Sequence, residues 1–336
     1  MSGLAQYSDF FKNPVLTEAI KEVPVNPSYI GERFLPAVDT YDIDFNDTVI
    51  ERQADMANIV DSGAELPLTD RDPLRTVSGS ITDIGQSYIV TKKEIAGLLD
   101  KGNQAKRTLV EKQLLGKVAT VKKNIDARIE WMRWQALGNG VFAYDKDGIK
   151  LGVDFGVPAE NKVTAATRWN DANATILKDY EKWVQDYVDL NGRTPEVFVT
   201  SIKAVRTVMN DAKVRKAITG LEDRLITLAE LNDFLRGRQL PAFESFDTSV
   251  VYRDVNNNGV RASQRLLHEN KGVFLVGGGE IGEQLMGPTV ENDMNPGIFA
   301  RTFTQERPKR EIVEVVAASF PKILMPELIK QATILA

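Results

Sequence analysis

Apolar and polar positions change period along the chain, and each change marks an element. From Val38 the pattern alternates, with Tyr41, Ile43 and Phe45 on one side and Asp42, Asp44 and Asn46 on the other. That is the period of a half-buried strand. Thr48–Gln53 continues it, and Asp61–Pro73 is dense in turn residues and acids. A returning strand follows through Ile81, Ile84, Tyr88, Ile89 and Val90. The pattern predicts a long two-stranded excursion with an acidic tip. Such a pair is marginal alone and must lean on another surface. Before it, residues 1–36 are polar and punctuated by Pro14, Pro24, Pro27 and Pro36. They read as an arm that orders only against something else, with Tyr29, Ile30, Phe34 and Leu35 as anchors.

The period then lengthens. Over residues 105–137, Leu114, Val118, Val121, Ile125, Ile129, Met132 and Ala136 fall three or four apart and predict a single helical stripe. Lys117, Lys122, Lys123, Arg128 and Arg133 lie mostly off it, and Gly138-Asn139-Gly140 stops the helix. About 33 residues rising 1.5 Å each span roughly 50 Å, longer than a small domain is wide. Residues 141–157 predict a hairpin turning at Asp145–Gly148. A further helix buries Ile176, Leu177, Tyr180, Trp183, Val184 and Tyr187, with Asp171 or Asn173 to cap it and Asn191-Gly192 to end it. Glu196–Thr200 reads as a strand, Ser201 opens a helix, and Thr227-Leu-Ala-Glu230 is a capping box. Strands follow at Ser249–Arg253 and Gly272–Val276, so residues 160–290 read as mixed α+β with their own core. Glu311–Phe320 and Lys322–Pro326 are strand again. They have no partner close in sequence, so the chain is expected to return to an earlier layer.

Composition narrows the function classes. A chain of 336 residues suggests about two domains, and 43% hydrophobic residues suffice for a real core. The net charge of −5 gives no overall basic footprint for nucleic acid. The charge is unevenly placed, however. Residues 36–100 carry 13 acidic and 5 basic side chains, whereas 101–137 carry 9 basic and 3 acidic. Three readings of the basic helix face are a solvated surface, a nucleic-acid contact using Trp131 and Trp134, and a dock for an acidic strand pair of the same or a neighbouring copy. The last is favoured, with Lys117, Lys122, Lys123 and Arg128 facing Asp61, Glu65, Asp70 and Asp72. An acidic excursion that cannot close its own core, beside a long basic strut, suits a subunit that packs on copies of itself.

Chemical inventory is thin. With no cysteine, disulfides, zinc–thiolate sites and cysteine nucleophiles are excluded. His268 is the only histidine and sits in a polar turn, which removes multi-histidine metal sites. Gly277-Gly-Gly279-Glu-Ile-Gly282 matches a dinucleotide pattern, but Pro288 and Pro296 leave no room for the helix whose N-terminus binds phosphate. A turn between strands is expected instead. Asp254–Gly259 resembles half a calcium loop, yet Arg265 stands where the bidentate glutamate belongs. The pairs Asp42/Asp44, Asp70/Asp72 and Asp145/Asp147 read as solvated. No catalytic residue, cofactor or metal is expected. No apolar run approaches the ~18 residues of a membrane span, and the N-terminus has no secretory pattern.

The order of arm, β excursion, spine helix, α+β unit and final strands resembles the major capsid proteins of tailed bacteriophages with the Hong Kong 97-type fold, and more narrowly the lambda-type capsid protein E family. The residues that carry the resemblance begin with Arg33–Val38, Ile59–Glu65 and Ile81–Lys93. Phe274–Gly279, Asn292–Gly297, Arg307–Pro321 and Met325-Pro-Glu327 complete them. The resemblance implies an N-terminal arm (1–36), an extended β loop (37–100), a spine helix and peripheral domain (101–158), an axial domain (159–300) and return strands (301–336). It implies pentamers and hexamers of an icosahedral shell around double-stranded DNA, assembled in a bacterial host. The partners implied are scaffold, portal and, in some relatives, a decoration protein. An encapsulin-like cargo shell is the alternative within the fold, and a nucleotide-binding enzyme using the glycine turn is the alternative outside it.

Overall fold

One long strand organises the molecule. In the computed structural model, which describes residues 4–6, 8–50, 74–100, 102–146, 149–254 and 260–336, β16 (Lys309–Ile323) is paired along both edges. One edge takes β4 (Thr82–Val90), antiparallel from Glu311↔Val90 to Ser319↔Thr82. The other takes β15 (Phe299–Glu306) on its first half and β13 (Gly282–Thr289) on its second. β1 (Ala37–Asp39) and β14 (Asn295–Pro296) add to β13 and complete a six-stranded sheet. The late strand does return to an earlier layer by pairing with β4, but the expectation that it has no partner close in sequence is corrected: β15 directly precedes it and pairs with it as a hairpin, Glu306↔Lys309 next to the turn. The excursion is shorter than its pattern suggested: β4 belongs to the sheet, and the hairpin proper is β2 (Asp44–Ile50) with β3 (Leu74–Ser80), in register from Asp44↔Ser80 to Ile50↔Leu74.

The spine helix α3 spans Gln104–Asn139, 36 residues and about 54 Å at 1.5 Å each. Asn103 caps its start by accepting from the Lys106 N–H. Gly140, left-handed at φ 67°, ends it. Leu114, Val118, Val121, Ile125 and Ile129 bury one stripe in a cluster with Val313, Val315 and Ala317 of β16. Near the C-terminal end the helix is enclosed. Trp131, Met132, Trp134 and Leu137 join a second cluster with Phe142, Phe246 and Phe320. Trp134 stacks on Phe246 with ring centres 4.2 Å apart, and both tryptophans are buried. They are core residues, not a stacking platform for bases.

The arm also differs from its sequence reading. It orders on its own chain: α1 (Asn13–Lys21) packs on β15 and α3 with Leu4, Phe11, Leu16 and Ile20 buried. Thr302 fastens it, donating its N–H to Asn13 Oδ1 and its hydroxyl to Phe11 O. Phe34 and Leu35 are fully buried anchors, whereas Tyr29 and Ile30 are half-buried.

A second sheet of five strands runs β7 (Lys162–Thr164), β17 (Lys330–Thr333), β12 (Lys271–Leu275), β8 (Val197–Thr200) and β9 (Ala242–Ser245). Helices α4 (Ile176–Asn191), α5 (Ile202–Asn210), α6 (Ala212–Thr219) and α7 (Leu228–Gly237) accompany it. Their shared core centres on Tyr180, Phe198, Phe243 and Phe274, with Phe198 and Phe274 rings 4.4 Å apart. Ser201 caps α5, and Thr227 with Glu230 forms the capping box of α7. Neither Asp171 nor Asn173 caps α4; Thr175 precedes it and Asp171 instead accepts from the Asn173 N–H. The chain passes between the sheets at Gly277–Ile281, not near residue 300: β13 already belongs with the spine helix, and β17 crosses back. Two small hairpins complete the fold, β5 (Val141–Lys146) with β6 (Ile149–Asp154) and β10 (Ser249–Asp254) with β11 (Val260–Arg265).

Candidate assembly interface

The β2–β3 hairpin is held to the body at its base. Phe45 is buried, its ring 6.1 Å from that of Phe320, and Ile81 N donates to Ile43 O at 2.9 Å. Gly79 lies directly under the Phe45 ring, where a Cβ would come within 2.5 Å. The expected apolar face is only partly buried. Tyr41 and Ile43 precede the first paired residue, Asp44, and are 72% and 56% exposed. Asp42 and Asp44 are exposed beside them. Asp61, Glu65, Asp70 and Asp72 lie outside the described residues.

The basic residues of α3 divide into two groups. Lys117 is committed within the chain: its Nζ donates to Glu94 Oε1 at 2.6 Å and to the Tyr88 hydroxyl. Burial alone would raise the Glu94 carboxyl, but hydrogen bonds from Lys117, Thr91 and Tyr88 outweigh it and hold the group at about 2. Lys122 is not on the surface. It is 6% exposed, 2.6 Å from Asp126 Oδ2, and it also donates to Val23 O. Burial pushes the Asp126 carboxyl upward, against the pull of that ammonium. Arg133 is likewise buried, paired with Glu130 at 3.3 Å. Only Lys123 and Arg128 of the expected docking residues remain without a carboxylate partner among the described residues. Lys123 is exposed, and the Arg128 guanidinium lies over the rings of Trp131 and Tyr144 at 5.0 and 5.5 Å.

Glu130 carries more than its sequence suggested. Fully buried, it accepts from the Gly31 N–H and from Trp134 Nε1, both at 2.8 Å, as well as from Arg133. It thus pins the arm to the spine helix. The i, i+4 spacing to Trp134 was visible beforehand; the contact with Gly31, 99 positions away, was not.

The other motifs stay structural. The glycine run is a turn between β12 and β13, with Gly278 and Gly279 at φ 79° and 77° and the Gly277 N–H donated to Glu196. At Gly282 a Cβ would meet Lys322 O at 2.1 Å, so that glycine serves the close approach of β13 and β16. No helix starts there, and the nucleotide reading loses its anion site. Arg265 pairs with Asp247, Asp145 lies 3.7 Å from Lys150, and His268 Nδ1 accepts from the Asn270 N–H inside its turn. Among the described residues no group of three or more His, Cys, Asp or Glu could hold a metal, and no helix is long and apolar enough to cross a membrane.

Comparisons with known proteins agree on this architecture. The model of the family described as phage major capsid protein E matches residues 14–333. No curated protein is similar enough in sequence to count as a relative. Among solved structures, the putative capsid protein of a prophage from E. coli CFT073 superposes with a TM-score of 0.61 at 14% identity, covering 94% of each chain. A phage-related protein from Bordetella bronchiseptica RB50 follows at 0.57 and 12%, covering 95% of this chain and 96% of that one. The capsid of a native GTA particle gives 0.51 and 12%, covering 93% and 92%. The chain belongs to the phage major capsid protein E family, and is a shell-forming subunit with the Hong Kong 97-like capsid fold.

Proposed function

We propose that the subunit closes an icosahedral phage head from pentamers and hexamers around double-stranded DNA, and that it does so without catalysis. In this reading the unit built on the five-stranded sheet is the axial domain, facing the symmetry axes. The spine helix and six-stranded sheet form the peripheral domain, and the β2–β3 hairpin overlaps the next copy. The carrying observation is the hairpin and the segment leading into it: it is fastened at Phe45 and Ile81 but leaves Tyr41, Asp42, Ile43 and Asp44 exposed, as a projection awaiting a second surface would. Each contact is weak, and closure of many copies makes the shell strong. Acidic residues of the hairpin segment, Asp61, Glu65, Asp70 and Asp72 included, would meet cations on a neighbouring spine helix. Lys123 and Arg128 are the available pair, because Lys117 and Lys122 already serve their own chain. Assembly would take place in the bacterial cytoplasm with a scaffolding protein and a portal, and in some shells a decoration protein.

Negative-stain electron microscopy of the purified protein, alone and co-expressed with neighbouring genes, tests the proposal. Closed shells or five- and six-membered rings are expected, with nuclease-resistant DNA inside particles from infected or induced cells. A subunit that stays monomeric even with its neighbours would overturn it.

A further inference from the structure

One lysine of the second unit is buried without a partner. Lys330 opens β17 and is 1% exposed, yet it makes no hydrogen bond or ion pair among the described residues. Its place follows from the sheet. β17 runs parallel to β7 with Gln331 opposite Lys162, so the residues just before that row, Lys330 and Asn161, are neighbours across the two strands. Asn161 closes the turn Ala159–Asn161 and is also 1% exposed. Its Nδ2 donates to Glu327 O at 2.8 Å, which fixes the amide and leaves the buried Oδ1 without a donor among the described residues. Both side chains line one cavity of about 450 Å³. Leu190 and three exposed carboxylates, Glu160, Asp186 and Asp189, complete its wall. Asp189 stands in the last turn of α4, where the carbonyl end of the helix adds negative potential. Burial draws the Lys330 amine below its ordinary value, and Asp186 and Glu160 oppose that from a distance without closing to an ion pair.

A buried donor and a buried acceptor, both open on one cavity, call for an occupant that brings the complement of each. A metal ion does not fit. It would meet the Lys330 ammonium, and among the described residues no group of three or more His, Cys, Asp or Glu could hold it. An inorganic anion does not fit either, because it would pass three carboxylates to reach one lysine. A dipolar molecule answers every group. Its carboxylate accepts from Lys330 Nζ, its ammonium donates to Asn161 Oδ1 and faces Asp186 and Glu160, and an aliphatic arm covers Leu190. The volume lies within the range of about 300–1,000 Å³ usual for small-molecule sites. We propose that this cavity binds a free α-amino acid with an aliphatic side chain. The site belongs to the single subunit, so it stands or falls apart from the shell reading.

Isothermal titration of the purified full-length chain, assembled or not, with L-alanine, L-valine and L-leucine tests the site. Isopentylamine and 4-methylpentanoate serve as leucine lacking one charge each. Saturable binding of L-leucine is expected, with both analogues weaker by about tenfold or more, the equivalent of one charged hydrogen bond. Lys330→Met should weaken L-leucine by a similar factor. Asp186→Asn, at an exposed position, should weaken L-leucine while leaving 4-methylpentanoate unchanged, and it decides the matter if Lys330→Met does not fold. No saturable binding of any of the three amino acids, as for a cavity that holds only water, would overturn the proposal. So would an analogue that binds as tightly as L-leucine, or an affinity unaltered in every variant that folds.

Discussion

Glu130 shows how much one buried side chain can hold. Its carboxylate takes donors from the arm, from its own helix and from an indole that packs in the core. Glu130→Ala strands the Arg133 charge and two N–H groups, and should cost about 3–5 kcal/mol, read as a lowered denaturation midpoint of the unassembled subunit. Glu94 is the titratable counterpart. Its carboxyl ordinarily titrates near 4.5 and is held at about 2 in the fold. A depressed folded pKa stabilises above the unfolded value, and that stability is lost as pH falls from about 4.5 towards 2. Glu94→Gln keeps the capping-box acceptor but removes the charge that pairs with Lys117, and should therefore destabilise by about 1 kcal/mol at neutral pH. Denaturation curves of variant and parent should converge as the pH approaches 2.

At the scale of the element, the spine helix shows that a charge count does not say which charges are free. Nine basic residues between 101 and 137 looked like one surface. The fold turned Lys122 inward onto Asp126 and used Lys117 to fasten β4 and α2 (Lys92–Leu98) to the helix. Lys122→Glu should consequently cost about 3–5 kcal/mol by placing two carboxylates in one buried site, and yield little folded protein. Lys123→Glu, one position on and exposed, should leave the subunit's melting within about 0.5 kcal/mol and act only on assembly. If both variants fold alike, the buried pair is misjudged. The helix itself was legible because its apolar stripe and its Gly138-Asn139-Gly140 stop agree with one another, which is what a local element requires; the Asn103 cap at its start was added by the structure.

For the whole molecule, the interleaving of strands matters most. β13 leaves the second unit for the first, and β17 crosses back to lie between β7 and β12. The last residues thus complete a core far from them in sequence: Ala332, Ile334 and Leu335 are buried with Phe198 and Phe274. Removing residues 324–336 should expose both neighbours of β17 and prevent the five-stranded sheet from forming. Limited proteolysis of the truncated chain would then cut within 160–275, whereas a resistant fragment there would contradict this dependence.

Local signals carried far in this chain. The helix stripe, the caps at Ser201 and Thr227, the glycine turn and the order of elements were all readable, because each depends on residues within a few positions. That order was enough to resemble one capsid family before any coordinates. Tertiary structure alone decided which strand partners which, that the arm lies on its own β15 and α3, and that Trp131 and Trp134 are core residues. It also decided which lysines of the spine helix are spent inside the subunit. Those outcomes depend on groups distant in sequence, such as Gly31 with Glu130 and Lys117 with Tyr88, whose meeting is set by packing and by the cost of burying a charge without a partner.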